Sequence, residues 1–492
     1  MIDYLLKIKG QKTIIIKIVC LLLLFFGINS YLAFTTDTFV TYKNGFGPTA
    51  VDMFARNGRP VIAFIYELHY LSGLSAVSFY YISSLLALVF LGIAIWIMQY
   101  LLASYGIKEN IRMVLSFVSI ANIFIIEYFL FIEKCGFMLA ILFNILGVYF
   151  LAMYFAKRHK WHIVWATLTM VLAIFTYQGT VALFVILAIP FAYKYAKNIK
   201  EYIINIIVIG IIYIIPVILD MLAFKYLFTS TRIVENPNYI SNLLNIPAKL
   251  MEIKTTMFEV MPKHCWAGIL FIVFTVCMLS ALGGKNKIFR IFHIMVICVA
   301  VGVFSTATII QGSGWYAMRT IYPFASFIGV LALDLYLNFE SNIDVFWGKV
   351  GKRIVMISLV VLMFIQYISF NKIYIDEYKL NILDENRCNY IGQVIEEYQE
   401  NSGIKVNKIA FYKDASTKYP QYPRLYASCD ALISSFNTDW SDLNSINYYL
   451  NADYKKTEQV EQYTEFFAGK DWDTLSNEQL IFEDDTLHLC VY

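Results

Sequence analysis

Charged side chains gather in the first polar stretch of a chain that is otherwise strongly apolar. The stretch lies between an apolar segment that ends near Phe34 and another that begins near Ala76. Its ionisable candidates for a site are Asp37, Asp52, Arg56, Arg59, Glu67 and His69. A carboxylate can accept a proton from a hydroxyl group, and a guanidinium can bind phosphate oxygens through two parallel hydrogen bonds. The stretch is therefore the leading candidate for a site that acts on a charged substrate.

The composition predicts an integral membrane protein. Of the 492 residues, 59% are hydrophobic and 15% are charged, and the mean hydropathy is +0.61. A soluble domain carries about 25% charged residues. Residues 1–371 hold 15 acidic and 28 basic residues, whereas residues 372–492 hold 21 acidic and 11 basic residues. We therefore expect a basic, multi-span membrane domain over 1–371 and an acidic, water-soluble α/β domain over 372–492.

Apolar stretches long enough to cross a bilayer recur along residues 1–371. A helix of about 20 apolar residues spans the hydrocarbon core. The sequence predicts an all-α polytopic fold with about eleven such helices, at 13–34, 76–103, 113–132, 135–156, 161–177, 180–196, 202–228, 264–283, 288–311, 320–338 and 354–370. The first stretch lacks a small-residue cleavage site, so we expect it to be retained. Tyr177-Gln178-Gly179 joins the fifth and sixth stretches, which predicts a tight helical hairpin.

The distribution of lysine and arginine predicts the orientation. These residues concentrate in every second connection, beginning with the N-terminal segment, which indicates an N-terminus in the cytoplasm. With eleven spans, the first polar stretch and residues 372–492 then lie on the extracytoplasmic face. Because basic residues at span ends are explained by topology and lipid headgroups, the composition does not suggest a nucleic-acid partner.

The C-terminal residues carry patterns of both helix and strand. Lys408–Tyr412 predicts a strand, and 386–400 and 455–467 predict helices. Two further strands, 480–482 and 487–491, are expected to pair about a turn at Asp484-Asp485.

Asp52, Arg56 and Arg59 follow a spacing of i, i+4 and i+7, which places residues on one face of a helix. Gly58 and Pro60 interrupt a helix, so the shared face is defined only for Asp52 and Arg56. Such a pair is either part of a site or a surface ion pair that stabilises the helix by a few tenths of a kcal/mol. The pattern alone does not separate these two interpretations.

The order of several motifs resembles that of the GtrII-like bacterial membrane glucosyltransferases. Thr36-Asp37 follows the first span, and Asn57-Gly58-Arg59-Pro60 lies later in the same polar stretch. Tyr177-Gln178 forms the hairpin, and Arg319-Thr-Ile-Tyr-Pro323 opens a late span. The resemblance covers about residues 10–370 and depends on the order of these motifs. Many relatives have two adjacent acids where this chain has Asp37 alone.

The resemblance implies a GT-C fold and an enzyme of the bacterial plasma membrane. Such an enzyme moves a sugar, glucose by the family's name, from a polyprenyl-phosphate donor to a cell-surface glycan. The acceptor hydroxyl needs a carboxylate base, and Asp37 and Asp52 are both candidates. The donor phosphate needs cationic side chains, for which the candidates are Arg56, Arg59, Lys134 and Arg319. The candidates for binding the rest of the substrates are Glu67, His69, Glu127, Tyr177 and Gln178. Whether a divalent metal ion takes part is left open.

Two other classes of membrane protein fit the same pattern. A flippase or transporter of lipid-linked glycans predicts polar groups in broken helices near the bilayer midplane. The chain has few such groups, among them Asp220, His293 and Asp334. We expect His293 and Asp334 to be structural, and Asp220 either to belong to a site or to pair with Lys225. A polysaccharide polymerase or ligase shares the multi-span plan and is the second alternative.

Overall fold

A computed structural model describes most of the chain. The described residues are 11–27, 31–227, 239–245, 247–248, 251, 259–260, 263–283, 286–304, 317–338, 345–413, 429, 431–470, 472 and 475–491. Parts of three predicted spans (28–30, 228 and 305–311) lie outside these residues.

The first half of the chain is helical. Its α-helices are α1 (Gln11–Phe26), α2 (Thr36–Asn44), α3 (Phe46–Thr49), α4 (Pro60–Ser72), α5 (Ala76–Ala103), α6 (Glu109–Ile120), α7 (Ile125–Leu130), α8 (Lys134–Lys157), α9 (Trp161–Thr176), α10 (Ala182–Lys194) and α11 (Ile199–Tyr226). A π-helical turn, Ala50–Ala55, follows α3, and a 3₁₀ turn, Gln178–Thr180, joins α9 to α10.

The second half continues the bundle and ends in a small sheet. Its helices are α12 (Tyr239–Leu244), α13 (Lys263–Gly283), α14 (Lys287–Phe304), α15 (Tyr322–Ala325), α16 (Phe327–Asn338), α17 (Val345–Ser402), α18 (Asp442–Tyr449) and α19 (Glu461–Phe467). The strands are β1 (Lys408–Tyr412), β2 (Lys455–Lys456), β3 (Leu480–Glu483) and β4 (Thr486–Cys490).

Four helices in the described part of the chain are long and apolar enough to cross a membrane: α5, α8, α11 and the Lys349–Ser402 portion of α17. Helix α8 is the most enclosed of the four, since 78% of its apolar window is buried. It packs against α5, α9 and α10. These lengths and compositions are consistent with a membrane protein, while the number of eleven spans stays a prediction.

The third predicted span, 113–132, is not one helix. Helices α6 and α7 are separated at Ala121–Phe124. The side chain of Asn122 replaces the interrupted helical bonds: its Oδ1 accepts from the N–H of Phe124 at 2.9 Å, and its Nδ2 donates to Tyr322 O at 3.1 Å and to Ser326 Oγ at 2.9 Å. An asparagine that competes for backbone hydrogen bonds favours such a break.

A closed polar network joins α11, α14 and α16. Both oxygens of Asp334 accept from Arg290, at 3.2 and 2.5 Å, and Oδ1 also contacts His293 Nε2 at 2.7 Å. Tyr202 OH lies 2.7 Å from the other ring nitrogen of His293. All four side chains are buried, so the network is a cross-link between helices, in agreement with the structural role expected for His293 and Asp334.

The C-terminal residues form a four-stranded sheet in the order β2-β1-β4-β3. The predicted strand Lys408–Tyr412 and the predicted hairpin about Asp484-Asp485 are confirmed. The prediction of a helix over 455–467 is wrong in its first half, because Lys455–Lys456 pairs with β1 and the helix begins at Glu461. Helix α17 runs without a break from the bundle into this domain.

Candidate functional site

Arg59 is turned into the bundle by the glycine that precedes it. Gly58 has a φ of +73°, a conformation that residues with a Cβ rarely adopt. A Cβ built at Gly58 would lie 2.3 Å from Phe224 Cζ, so the turn also needs glycine for its close packing on α11. The guanidinium carbon of Arg59 then lies 4.8 Å from the ring centroid of Tyr177, which is the residue immediately after α9.

Arg319 lies in the turn before α15 and is held by two consecutive residues of α7. Its main-chain N–H donates to Glu127 Oε2 at 2.6 Å, and its carbonyl accepts from Tyr128 OH at 2.6 Å. The guanidinium carbon lies 4.5 Å from the ring centroid of Phe131. Glu127 therefore positions Arg319 by accepting a hydrogen bond from its backbone.

The 3₁₀ turn between α9 and α10 contacts the segments of both arginines. Gln178 Nε2 donates to the carbonyl of Gly58 at 2.9 Å. A Cβ at Gly179 would come within 2.9 Å of the carbonyl of Arg319. The predicted tight hairpin is thus observed, and it lies between the Arg59 and Arg319 backbones.

Two acids complete the group. Asp37 lies in the first turn of α2, and Glu133 is the residue immediately before α8, with 4% of its surface exposed. Burial, followed by the negative charge of Asp37, raises the pKa of Glu133 to about 7, while Arg319 and Arg59 act in the opposite direction. These four residues (Asp37, Arg59, Glu133 and Arg319) are here named the arginine–carboxylate cluster.

The cluster combines two functions that transfer of a group from a phosphate-linked donor requires. Two guanidinium groups beside a tyrosine ring can bind a phosphate, and a carboxylate beside them can accept a proton. Mg²⁺ is commonly held by one or two carboxylates and substrate phosphate oxygens, so Asp37 and Glu133 supply suitable ligand atoms. Among the described residues, however, no three His, Cys, Asp or Glu side chains come together as a complete metal site.

Lys134, a candidate phosphate ligand, is directed elsewhere. Its Nζ lies 3.9 Å from the ring centroid of Tyr80, and it interacts electrostatically with Glu377. Glu377 Oε2 in turn accepts from Tyr31 OH at 3.0 Å. Tyr80, Lys134 and Glu377 are buried, and their interactions join α5, α8 and α17.

The remaining charged candidates of the first polar stretch do not join the cluster. Arg56 Nη1 binds Asp52 Oδ1 at 2.8 Å as an i,i+4 pair, with 57% and 59% of the two side chains exposed. His69 packs between Phe46 and Phe79 and its Nε2 contacts Ser75 O at 3.1 Å; burial lowers its pKa. Glu67 is half-buried on α4.

Glu133 and Tyr128 are residues near the site that sequence reasoning did not select, and for Asp220 the sequence left open a site role or a pair with Lys225. Glu133 and Lys134 form an adjacent charged pair between two apolar stretches, a signal that pointed only to Lys134. Asp220 lies on α11 and contacts Gln178 Nε2 at 3.5 Å. Lys225, its expected alternative partner, instead lies over the ring of Tyr226 at 5.2 Å.

Comparison with known proteins gives no relative from which a function can be transferred. No family model, curated protein or solved structure matches the chain. The resemblance to GtrII-like glucosyltransferases stays a prediction, and the function has to be argued from the arginine–carboxylate cluster.

Proposed function

We propose that the chain is a membrane glycosyltransferase of the GT-C class. It transfers a sugar, glucose by resemblance, from a polyprenyl-phosphate donor to a cell-surface glycan. The observation that carries the proposal is the arginine–carboxylate cluster, in which an acid from the first polar stretch joins two arginines from segments 260 residues apart in the chain.

The chemistry assigns a role to each member of the cluster. The acceptor hydroxyl attacks the anomeric carbon and loses its proton to Asp37, while the bond from that carbon to the phosphate oxygen breaks. The lipid phosphate leaves as an anion and needs no proton, since it is stable in that form. Arg59 and Arg319 bind this anion, with bidentate hydrogen bonds that a lysine does not reproduce. Glu133 modulates the charge of the phosphate site.

The proposed orientation places the cluster where a lipid donor and an aqueous acceptor meet. Eleven spans with a cytoplasmic N-terminus put α2, α4 and the C-terminal domain on the extracytoplasmic face. A reporter that is active only in the cytoplasm, fused after Asn371, should then be silent. Strong reporter activity would reverse the orientation and exclude an extracytoplasmic acceptor.

The transporter alternative is less well supported than the enzyme. A transporter needs polar groups that a substrate or ion can reach from water near the centre of the bundle. Of the three such groups expected from the sequence, Asp334 and His293 are buried and bonded to Arg290, Asn338, Tyr202 and each other. The third, Asp220, contacts Gln178, which also binds the segment that carries Arg59. Half-buried Asp37 instead acts on Glu133 together with Arg59 and Arg319, at the end of the bundle that contacts the C-terminal domain.

Sugar transfer in membranes tests the proposal directly. Vesicles that contain the wild-type protein, or its Asp37→Asn variant, are supplied with radiolabelled polyprenyl-phosphate-glucose and surface glycan from a strain that lacks the protein. We expect label in the glycan and released polyprenyl phosphate only with the wild type. Movement of the intact lipid across the vesicle without cleavage would favour the flippase. If neither occurs with glucose, galactose or mannose donors, the proposed function is wrong.

A further inference from the structure

Asp220 is a carboxylate at a position where the helix pattern calls for an apolar residue. The buried face of α11 consists of Tyr202, Asn205, Ile209, Ile212, Pro216, Asp220 and Ala223, at spacings of three and four residues, and the residues next to Asp220 on this face are apolar. The opposite face is exposed and isoleucine-rich, as expected for contact with lipid. Only 8% of Asp220 is exposed. An acid inside an apolar span is costly, and such residues commonly belong to functional sites.

Within the described residues, the one polar partner of Asp220 is Gln178. The contact between Gln178 Nε2 and Asp220 Oδ1 is 3.5 Å, at the long limit of a hydrogen bond. The same Nε2 makes its shorter bond, 2.9 Å, to the carbonyl of Gly58. A buried carboxylate with a single long contact retains most of its capacity to accept hydrogen bonds.

The position of Asp220 relative to Arg59 limits what it can bind. Phe224, one helical turn after Asp220, packs on Gly58, and Gly58 directly precedes Arg59. The group that is attached to a phosphate bound by Arg59 therefore lies close to Asp220 and Gln178. A second phosphate anion offers no hydrogen-bond donor to the oxygens of Asp220, and neither does a prenyl chain. Sugar hydroxyl groups do donate hydrogen bonds, and a carboxylate together with an amide is well suited to bind them.

We propose that Asp220 and Gln178 form a subsite that binds the hydroxyl groups of the donor sugar and selects which sugar is transferred. This inference rests on the proposed glycosyltransferase function. The carboxylate of Asp220 accepts hydrogen bonds from sugar hydroxyls, and Gln178 links this subsite to the backbone that carries Arg59. Sugars whose hydroxyls point away from Asp220 lose these bonds and bind more weakly.

Binding of two related lipids separates this subsite from the phosphate site. The probes are a short-chain polyprenyl phosphate and the same lipid carrying glucose, galactose or mannose, titrated against the purified full-length protein in nanodiscs. Asp220→Asn is nearly isosteric and keeps an oxygen that accepts from Gln178. We expect it to weaken binding of the preferred sugar lipid about tenfold, because a charge-assisted hydrogen bond is lost, and to leave binding of the bare phosphate lipid unchanged. The differences in Kd among the three sugar lipids should also be smaller for Asp220→Asn than for the wild type.

A matched control is available on the same helix. Glu201 lies near the other end of α11, where its carboxylate caps the N–H of Lys197; Glu201→Gln should bind every lipid as the wild type does. If Asp220→Asn weakens the sugar lipid and the bare phosphate lipid equally, Asp220 only anchors α11 to the 3₁₀ turn and the subsite is excluded. If the wild type binds neither lipid, the proposed function itself fails. Unchanged binding of all sugar lipids by Asp220→Asn would overturn the subsite alone.

Discussion

Glu127 and Arg319 are joined by a hydrogen bond of 2.6 Å from the main-chain N–H of Arg319 to Glu127 Oε2. Tyr128, the next residue of α7, donates to the carbonyl of the same arginine at 2.6 Å. Glu127 and Tyr128 are fully buried, so neither bond competes with water. Both main-chain groups of Arg319 are thereby fixed, and its guanidinium extends from an immobilised backbone.

Loss of this support should weaken phosphate binding without removing the arginine. We expect Glu127→Ala to raise the Kd for polyprenyl phosphate about tenfold, the usual effect of losing a hydrogen bond to a charged group. Glu127→Gln keeps an acceptor oxygen and should retain most of the affinity. Titration calorimetry in nanodiscs measures both. An equal loss in the two variants would show that the charge of Glu127, and not its bond to Arg319, matters.

Asp37 and Asp52 can now be distinguished as candidates for the base. Removal of a general base typically costs about 10²–10⁴-fold in rate. We expect Asp37→Asn to reduce kcat by that amount with little change in donor affinity. Asp52→Asn is the matched control, because it breaks only an exposed ion pair with Arg56 and should keep near-normal transfer. The reverse result would move the site to the exposed face of the first polar stretch.

The helices of the bundle could be predicted from the sequence because each depends on local apolar content. The predicted 76–103 has the bounds of α5, and 135–156 lies within α8. The break at Ala121–Phe124 could not be foreseen, since it depends on Asn122 reaching Tyr322 and Ser326, about 200 residues away. Local periodicity carries no information about such a distant partner.

The site was predicted only in part, for a similar reason. The sequence predicted a shared helical face only for Asp52 and Arg56, because Gly58 and Pro60 interrupt the helix. It did not indicate that the positive φ of Gly58 turns Arg59 towards Tyr177. Glu133 belongs to no sequence motif. It is a candidate only because Asp37, Arg59 and Arg319 interact with it electrostatically in the folded protein. Residue types indicated the chemistry, and tertiary packing decided which of them come together.

Arg59 should be sensitive to the shape of its side chain as well as to its charge. Its guanidinium lies over Tyr177, and two parallel N–H groups can bind two phosphate oxygens. We expect Arg59→Lys to retain part of the activity and Arg59→Ala to lose at least about 100-fold in kcat/KM. Membrane insertion, measured by fractionation and proteolysis, should be normal in both. Normal donor binding by Arg59→Ala would reduce Arg59 to a headgroup anchor.

The raised pKa of Glu133 predicts a pH dependence of donor binding. Its carboxyl group is neutral below about pH 7 and charged above it, since its pKa is raised to about 7. Charging places a negative group beside the proposed phosphate site, so the Kd for the sugar lipid should rise on the order of tenfold from about pH 6 to about pH 8. The phosphodiester of that lipid does not titrate in this range.

Glu133→Gln provides the control for this pH dependence. Its amide stays neutral, so the variant should bind the sugar lipid with nearly the same Kd at both pH values, close to the wild-type value at the lower one. A pH dependence that persists in Glu133→Gln would assign the titration to another group.

The C-terminal domain contacts the helix that carries Asp37. The side-chain amide of Asn381, on α17, binds both main-chain groups of Phe34: its Oδ1 accepts from the N–H at 2.7 Å, and its Nδ2 donates to the carbonyl at 3.0 Å. Tyr448 of α18 packs on Phe34 and Tyr42, with ring centroids 4.8 and 5.0 Å apart. The start of α2 is thus fixed from the side of the domain.

Removal of the Asn381 bonds should therefore affect the chemical step more than donor binding. We expect Asn381→Leu to lower kcat about tenfold or more. Asp37 lies only three residues after Phe34, and a small displacement of the proposed base lowers the rate of proton transfer. The Kd for polyprenyl phosphate should stay within about twofold, since Arg59 and Arg319 are held by other contacts. Asn371→Leu is the matched control on the same helix, where the amide donates to Tyr367 O one turn earlier. If Asn381→Leu and Asn371→Leu have the same kcat as the wild type, the domain does not position Asp37; if both lose donor binding, the helix as a whole has been disturbed.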